Sequence, residues 1–245
     1  MATRPARFPW SEAELRKRVG AAVSDYWSAR SGQSKKQQTA GVSDTGKRGE
    51  ITGGQHLNAF LELICEVVRA AGFRDSEMRK SSGVELPGYF RPQKKWDLVV
   101  VRGSRLCAAL EMKSQAGPSF GNNYNNRSEE AIGSSTDFWV AYREGALGRQ
   151  QPWLGYFLLV EESPRSTSPV RLAKAVFEPM PVFYNTSYLE RYAILCKRLV
   201  LERNYSAASL LAAQRDGEGS FSEPDAELGF GVFAKSLFGH LLGIS

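Results

Sequence analysis

In two stretches, residues 11–30 and 55–71, apolar residues recur every three or four residues, a spacing that predicts amphipathic helices. The order Ser-Glu-Ala-Glu at Ser11–Glu14 matches a capping box, so a first helix is predicted to begin there and to end near Arg30. A second helix is predicted over Gln55–Ala71, and Gly72 ends it. The two apolar stripes consist of Leu15, Val19, Ala22, Val23, Tyr26 and Trp27, and of Leu57, Phe60, Leu61, Ile64, Val67 and Val68.

The connection between these helices, Ser31–Gly49, contains almost no apolar residue. Such a segment buries too little surface to offset the entropy of ordering it, so a mobile loop is predicted. The loop is basic, which fits an arm that becomes ordered on DNA, but it also fits a plain flexible connector. Its candidate DNA-binding residues are Lys35, Lys36, Lys47 and Arg48.

Short runs rich in valine, leucine and alanine follow, bounded by Pro and Gly, and these predict strands. The predicted strands are Val84–Phe90, Trp96–Arg102 and Arg105–Lys113. The last two form a hairpin if Gly103-Ser104-Arg105 is a three-residue turn with glycine near the left-handed conformation.

That turn would place Asp97 directly opposite Glu111, with β-carbons roughly 5 Å apart. A two-residue turn would instead place Asp97 opposite Leu110. Side chains two residues apart in a strand point to the same face, so Glu111 and Lys113 share a face.

Two neighbouring carboxylates repel each other unless a cation lies between them. Mg²⁺ prefers oxygen ligands and keeps waters, and an adjacent lysine can position or deprotonate one of them. Asp97, Glu111 and Lys113 therefore predict metal-dependent phosphodiester hydrolysis. A solvated pair of charges at a strand end is the alternative, but the apolar run Leu106–Leu110 leads directly into Glu111 and favours the site.

The segment after the hairpin, Gly117–Arg127, is dense in Gly and Asn, which predicts a loop. Asn and Arg side chains can bind base edges in the major groove, although Asn and Gly are also common in ordinary turns. A following helix is predicted to be capped by Ser128. Glu129 and Glu130 would then lie in its first turn, where the helix dipole accounts for them better than metal binding does.

The rest of the chain predicts one central strand and several helices. The continuous apolar run Trp153–Val160 suits a buried central strand. A long helix is expected from Thr186 or Ser187 to about Asn204. The remaining expectations are a short strand at Ala173–Val176, a helical continuation or separate turn over Ser206–Gln214, a linker over Asp216–Asp225 and an amphipathic segment over Phe230–Ile244.

Composition adds a moderate bias toward polyanionic partners. The net charge is +6 and the isoelectric point is about 9.3, which favours nucleic acid without proving it. The three cysteines are far apart and lie in apolar runs, so they predict buried free thiols of a reducing compartment. The two histidines are too separated for a histidine metal site, and the chain has no run of about 18 apolar residues that would predict a membrane span. We expect a cytoplasmic protein.

The residues around the hairpin resemble a known family. D-x13-E-x-K is similar to the PD-(D/E)xK nuclease signature, although Trp96 stands where that signature has proline. The stretches LPGYFRPQKKWD and LEMKSQAGPSFGNNYNNRSEEAIG closely resemble the XhoI family of type II restriction endonucleases. The resemblance continues through Trp153–Tyr156 and Tyr188–Tyr205, and it covers the chain from about Gly53 to Leu211.

This resemblance implies an α/β restriction-endonuclease-like core, with a mixed central sheet flanked by helices and additional N- and C-terminal helices. We expect a single domain: an N-terminal helix and basic loop (1–52), a nuclease core (53–162) and a mainly helical remainder (163–245). It implies Mg²⁺-dependent cleavage of double-stranded DNA at the palindrome CTCGAG by a homodimer. The cognate DNA methyltransferase is expected to act on the same site rather than to bind the protein.

The resemblance also implies roles for individual residues. Asp97 and Glu111, with the Met112 carbonyl, would bind the metal, and Lys113 would assist the attacking water. An auxiliary acid is expected on or before the second helix, with Glu62, Glu66 and Glu50 as candidates. The other candidate DNA-binding residues are Lys94, Lys95, Gln115, Asn122, Asn123, Asn125, Asn126 and Arg127.

Two other functions stay open on the sequence alone. One is a different PD-(D/E)xK nuclease, such as a repair or junction-resolving enzyme. The other is a DNA-binding protein that does not cleave, against which the complete Asp, Glu and Lys set argues.

Overall fold

The computed structural model describes residues 7–40 and 56–244, with the side chains of 33–40 outside the description. The helices are α1 (Glu12–Ala40), α2 (Asn58–Ala70), α3 (Phe120–Arg143), α4 (Pro164–Thr167), α5 (Tyr188–Leu201) and α6 (Phe230–Leu242). The strands are β1 (Met78–Arg79), β2 (Glu85–Pro87), β3 (Gln93–Lys95), β4 (Leu98–Arg102), β5 (Arg105–Gln115), β6 (Trp153–Glu161), β7 (Ala207–Ala213) and β8 (Phe221–Ser222).

Six strands form one mixed sheet in the order β1-β4-β5-β6-β7-β8, and β2 and β3 form a separate two-stranded sheet. The hairpin β4–β5 is antiparallel, whereas β5, β6 and β7 run parallel to one another. Helices cover both faces of this sheet, and the predicted α/β fold class is therefore confirmed.

Each face of the sheet has its own apolar layer. Residues of α1, α2 and α6 pack on one face, which includes Met112 and Phe157. Residues of α3 and α5 pack on the other face, which includes Tyr156 and Leu158. Strand β6 is buried from Trp153 to Val160, as its continuous apolar run predicted for a central strand.

The hairpin turn differs from the prediction, but the register near its open end does not. Arg102 pairs with Arg105, so the turn has two residues, Gly103 and Ser104, rather than three. Cys107 is then an extra residue in β5, and this bulge shifts the pairing so that Leu98 lies opposite Leu110. Continued by one residue, this register places Asp97 opposite Glu111.

The loop predicted from Ser31 is wrong for its first ten residues, because α1 continues to Ala40. This extension contains Gln, Lys and Ala, which favour helix without needing an apolar stripe. A lack of apolar residues was therefore a poor indicator of a loop here. Lys35 and Lys36 lie on this helix, and Lys47, Arg48 and Glu50 lie outside the described residues.

The prediction of a loop over Gly117–Arg127 is also wrong, because α3 begins at Phe120. Phe120, Tyr124, Ala131 and Phe138 contact one apolar layer at helical spacing, and the Asn residues occupy the intervening positions. Ser128 does not cap a helix: its hydroxyl donates to the Tyr124 carbonyl, one turn earlier. Glu129 and Glu130 accordingly lie in the third turn rather than the first.

The C-terminal half contains a further strand where a helical continuation or a separate turn was predicted. Ser206–Gln214 contains β7, which pairs with β6 and is buried along its whole length. Leu and Ala favour helices, and a run that is apolar on both faces shows no strand alternation, so local sequence could not reveal this strand. No strand forms at Ala173–Val176, whereas the helix capped by Ser187 is confirmed.

The expectation for the cysteines agrees with the structure. All three cysteines are buried free thiols. Within residues 7–40 and 56–244, none of the helices combines the length and the apolar character needed to cross a bilayer.

Candidate active site

Asp97 and Glu111 meet at the open end of the β4–β5 hairpin. The Asp97 amide donates to the Leu110 carbonyl at 3.0 Å, immediately before the first residue of β4. The Met112 amide in turn donates to Asp97 Oδ2 at 2.7 Å. The main-chain amide and the carboxylate of Asp97 are thus both hydrogen-bonded to the backbone of β5. These two bonds fix the carboxylate beside Glu111.

Glu111 is only 2% exposed and is surrounded by hydrogen-bond donors. Lys94 Nζ lies 3.0 Å from its Oε1 and Lys113 Nζ lies 3.2 Å from the same atom. The Tyr205 hydroxyl lies 3.0 Å from Oε2, as a donor. Burial by itself raises the pKa of Glu111, but the two ammonium groups outweigh it and lower the pKa, so the carboxylate is ionised at neutral pH.

The pKa of Asp97 moves the opposite way. Its burial raises the pKa, and the hydrogen bond from the Met112 amide and the charge of Lys113 offset this only in part. An aspartate of this kind gains from a nearby cation that replaces the lost hydration of its charge. The two acids thus differ: Glu111 already has cationic neighbours in direct contact, whereas Asp97 accepts a single backbone hydrogen bond.

The donors at this position fit a small, hard cation. Asp97 and Glu111 supply carboxylate oxygens, and the Met112 carbonyl projects to the same edge of β5 as its amide, which contacts Asp97. Among the described residues no group of three or more His, Cys, Asp or Glu side chains could hold a metal. A pair of carboxylates completed by waters is the arrangement that Mg²⁺ commonly accepts.

Helix α3 brings a second charged pair to the edge of this site. Arg127 Nη1 lies 2.6 Å from Glu130 Oε2, and Lys113 Nζ lies 3.8 Å from the same oxygen. Sequence analysis assigned Glu130 to a helix start, and the structure instead places it beside Lys113. Lys113 therefore lies between the buried Glu111 and a more exposed acid.

The other predicted DNA-binding residues are distributed around this edge. Lys94 lies over the Trp96 ring while it contacts Glu111, and Lys95 is exposed beside it. Gln115 is buried, and its side-chain amide donates to the Ala116 carbonyl. The four asparagines occupy the first two turns of α3, where Asn122, Asn125 and Asn126 are exposed and Asn123 is half-buried.

The candidate auxiliary acids on α2 do not join the site. Glu62 contacts Arg69 and Lys80, and Glu66 contacts Arg18. Helix α2 packs on the Met112 face of the sheet, whereas Glu111 points to the opposite face, toward Tyr205. This geometry explains why the helix that precedes the hairpin contributes neither of these glutamates to the carboxylate pair.

Tyr205 is the residue that sequence reasoning missed. It lies 94 positions after Glu111 and comes close only because β6 and β7 extend the sheet beyond β5. Burial, and then the charge of Glu111, raise its pKa well above the ordinary value, so the hydroxyl stays protonated and is a donor. The sequence contains no signal for this contact, since Tyr205 lies between a predicted helix and a segment predicted as a helical continuation or a separate turn.

Comparison with known proteins decides the family. The model of the family described as restriction endonuclease XhoI matches residues 36–223, which is most of the chain. The chain belongs to the XhoI family of restriction endonucleases.

Three relatives agree with this assignment. The type II restriction enzyme BstVI of Geobacillus stearothermophilus is 44% identical over 210 residues, covering 82% of this chain and 94% of the relative. The type II restriction enzyme XhoI of Xanthomonas vasicola is 42% identical over 74% of this chain and 73% of its own length. AbrI of Azospirillum brasilense, also a type II restriction enzyme, is 45% identical over 63% of this chain and 70% of its own length. No solved structure matches the chain.

Membership of the XhoI family establishes the enzyme class. The chain is a type II site-specific deoxyribonuclease that acts on double-stranded DNA. Enzymes of this type generally use divalent metal ions. Neither a repair or junction-resolving nuclease nor a DNA-binding protein that does not cleave agrees with the family.

Proposed function

We propose that this XhoI-family enzyme hydrolyses double-stranded DNA with Mg²⁺ at the palindrome CTCGAG and leaves 5′-phosphate ends. The observation that carries the proposal is the meeting of Asp97, Glu111 and Lys113 at adjoining strand ends. The sequence of the site rests on the resemblance to the family and not on a contact in the structure.

Each side chain has a role that follows from its surroundings. Asp97, Glu111 and the Met112 carbonyl would hold the metal ion. When bound, the ion polarises the phosphate and makes a bound water more acidic. Lys113, beside Glu111, orients the attacking water and stabilises negative charge at phosphorus. The water oxygen bonds to phosphorus as the bond to the 3′ oxygen breaks, which leaves a 3′ hydroxyl and a 5′ phosphate.

Lys94 Nζ contacts Glu111 Oε1 at 3.0 Å. A cation held by this carboxylate would compete with the ammonium group, and Lys94 would then be available, together with Lys95, to contact phosphate. Contacts of this kind position the duplex without reading its sequence.

A palindromic site is matched by a two-fold symmetric protein, so we propose a homodimer in which each subunit cuts one strand. We place the enzyme in the cytoplasm, where a methyltransferase modifies the same site and does not bind the endonuclease.

Cleavage of two matched plasmids tests this proposal. One contains a single CTCGAG sequence and the other differs from it by one base pair in that site. With Mg²⁺ the first is expected to become linear with 5′-phosphate ends at the site, as sequencing of the ends would reveal, and the second to stay intact. Linearisation at another sequence would reject the proposed site, and structure-selective nicking would reject the reaction.

The hydrogen bond between Tyr205 and Glu111 leads to a further prediction. Tyr205→Phe removes only the hydroxyl that donates to Glu111 Oε2, so the carboxylate loses one constraint on its position. Since partners of metal ligands typically contribute 10–100-fold, we expect Ca²⁺ affinity measured by calorimetry to weaken by about 10-fold or more.

Tyr156→Phe is the matched control for this change. The Tyr156 ring packs 5.2 Å from the Tyr205 ring, but its buried hydroxyl has no hydrogen-bond partner among the described residues. Its loss should leave Ca²⁺ affinity unchanged. Equal Ca²⁺ affinities for the two variants would show that Tyr205 contributes packing alone.

A further inference from the structure

The connection between β2 and β3 exposes two aromatic rings to solvent. We call the segment Gly88–Pro92 the aromatic tip. Tyr89 is 54% exposed and Phe90 is 70% exposed, and their rings pack edge to face with centroids 4.9 Å apart. Two large rings exposed side by side on a connection are unfavourable in water, and such a patch commonly marks a binding surface.

The aromatic tip is held in one conformation by a buried acid. Asp137 of α3 is only 2% exposed, and its Oδ1 accepts from the amides of Tyr89 and Phe90 at 2.8 and 2.7 Å. Its Oδ2 pairs with Arg91 Nε at 3.0 Å. A side chain at Gly88 would collide with this carboxylate and with the Arg91 backbone, so only glycine allows the close approach.

A short connection between two strands does not need a buried carboxylate such as Asp137 in order to close. Burying a carboxylate is costly unless it is paired and hydrogen-bonded, and here its partners all belong to the aromatic tip. The consequence is that the backbone carrying both rings is held in one conformation before any partner binds. A preorganised surface loses less conformational entropy on binding than a flexible one.

The position of the aromatic tip identifies its partner. Strand β3 runs directly from the tip to Lys94, whose Nζ contacts Glu111 at 3.0 Å. Phe90 precedes Lys94 by four residues, so at about 3.3 Å per residue their Cα atoms are at most roughly 13 Å apart. Duplex DNA whose phosphate reaches Glu111 therefore passes within a few base pairs of the rings.

The charge of the same hairpin fits a polyanion. Its basic residues are Arg91, which pairs with Asp137, Lys94, which pairs with Glu111, and Lys95, which is exposed opposite Glu85 of β2. Basic side chains beside exposed aromatic rings are the combination that binds a nucleic-acid backbone and its bases together.

We propose that the aromatic tip contacts DNA bases beside the scissile phosphate, with Phe90 and Tyr89 inserted as an apolar wedge at a base step. The proposal rests on the proposed nuclease function, which supplies the DNA at Glu111. Apolar side chains inserted in this way partly unstack the step and distort the duplex.

The test compares Phe90→Ala and the double variant Tyr89→Ala/Phe90→Ala with wild type in Ca²⁺. The probe is a CTCGAG duplex with 2-aminopurine near the cleavage position. Since one stacked base typically contributes 1–3 kcal/mol, the double variant is expected to bind about 10-fold or more weakly and to lose the fluorescence increase of the wild-type complex. Phe90→Trp, which retains a ring, is expected to keep both properties.

Phe177→Ala is the matched control, because Phe177 is 86% exposed in a different segment. It should match wild type. Wild-type affinity and fluorescence in the double variant, with the fold verified by its melting curve, would overturn the proposal. So would weaker binding accompanied by loss of the dimer in sedimentation, since the tip would then be a contact between two copies of the chain.

A cleavage assay of the wild-type enzyme distinguishes failure of this inference from failure of the proposed function. Wild-type enzyme is assayed for cleavage of the duplex with Mg²⁺. A wild type that cleaves while the double variant retains full binding rejects the wedge alone. A wild type that binds through the tip but does not cleave with Mg²⁺ rejects the metal-dependent function while the wedge survives.

Discussion

Glu111→Gln is expected to lower the rate of DNA cleavage by more than about 10³-fold, since even the partners of a metal ligand typically contribute 10–100-fold. Glutamine keeps the shape of the side chain and can still accept a hydrogen bond from the Tyr205 hydroxyl. It lacks the charge that balances Lys94 and Lys113 and that would hold a cation. The measurement is single-turnover cleavage of a CTCGAG duplex with enzyme in excess, over a range of Mg²⁺ concentrations.

DNA binding by Glu111→Gln should not weaken in Ca²⁺-free buffer. The variant leaves two ammonium groups without their shared carboxylate, and these attract phosphate. Glu129→Gln is the control, because it makes the same charge change on an exposed residue of α3. A Glu111→Gln variant that cleaves within about 10-fold of wild type would be inconsistent with a metal ligand at this position.

Lys113→Ala is expected to lower cleavage by about 10²- to 10⁴-fold, the range typical of a group that assists proton transfer. Lys113 lies 3.2 Å from Glu111 Oε1, so its removal also makes the net charge around the carboxylate more negative. Ca²⁺ affinity should therefore stay the same or increase, whereas Glu111→Gln should lose it. Calorimetry with Ca²⁺ and single-turnover cleavage together separate the two roles.

Lys174→Ala serves as the control for Lys113→Ala, because Lys174 is an exposed lysine in another segment. It should cleave and bind Ca²⁺ like wild type. If Lys113→Ala loses Ca²⁺ binding as completely as Glu111→Gln does, Lys113 supports the metal site and has no separate part in water activation.

The position of Asp97 opposite Glu111 was predicted through a compensating error. A three-residue turn was assumed, and the structure has two turn residues and a bulge at Cys107. The bulge adds the residue that the shorter turn removes, so the register beyond Val100 is the same. Spacing along the chain thus located the acidic pair, although it described the hairpin incorrectly.

Local pattern was sufficient where the burial of an element agrees with the propensity of its residues. The stripe of α2 and the continuous run of β6 are examples. It failed at β7, where alanine and leucine favour helix but pairing with β6 imposes a strand. It also failed at the start of α3, where asparagines between buried aromatic residues suggested a loop.

The contacts that could not be predicted from the sequence join segments that are far apart along the chain. Tyr205 reaches Glu111 because the sheet order places β7 two strands from β5. Asp137 reaches the aromatic tip because α3 packs beside the β2–β3 hairpin. Neither contact follows from propensity or spacing, since both depend on how the elements pack in three dimensions.

Anomalous diffraction from crystals grown with Mn²⁺ and a CTCGAG duplex would test the metal site most directly. We predict a single anomalous peak between Asp97 and Glu111, within roughly 2.0–2.3 Å of one carboxylate oxygen from each residue, with Lys94 withdrawn from Glu111. A peak bound by Glu130 or Glu62 without Asp97 and Glu111 would contradict the proposed site.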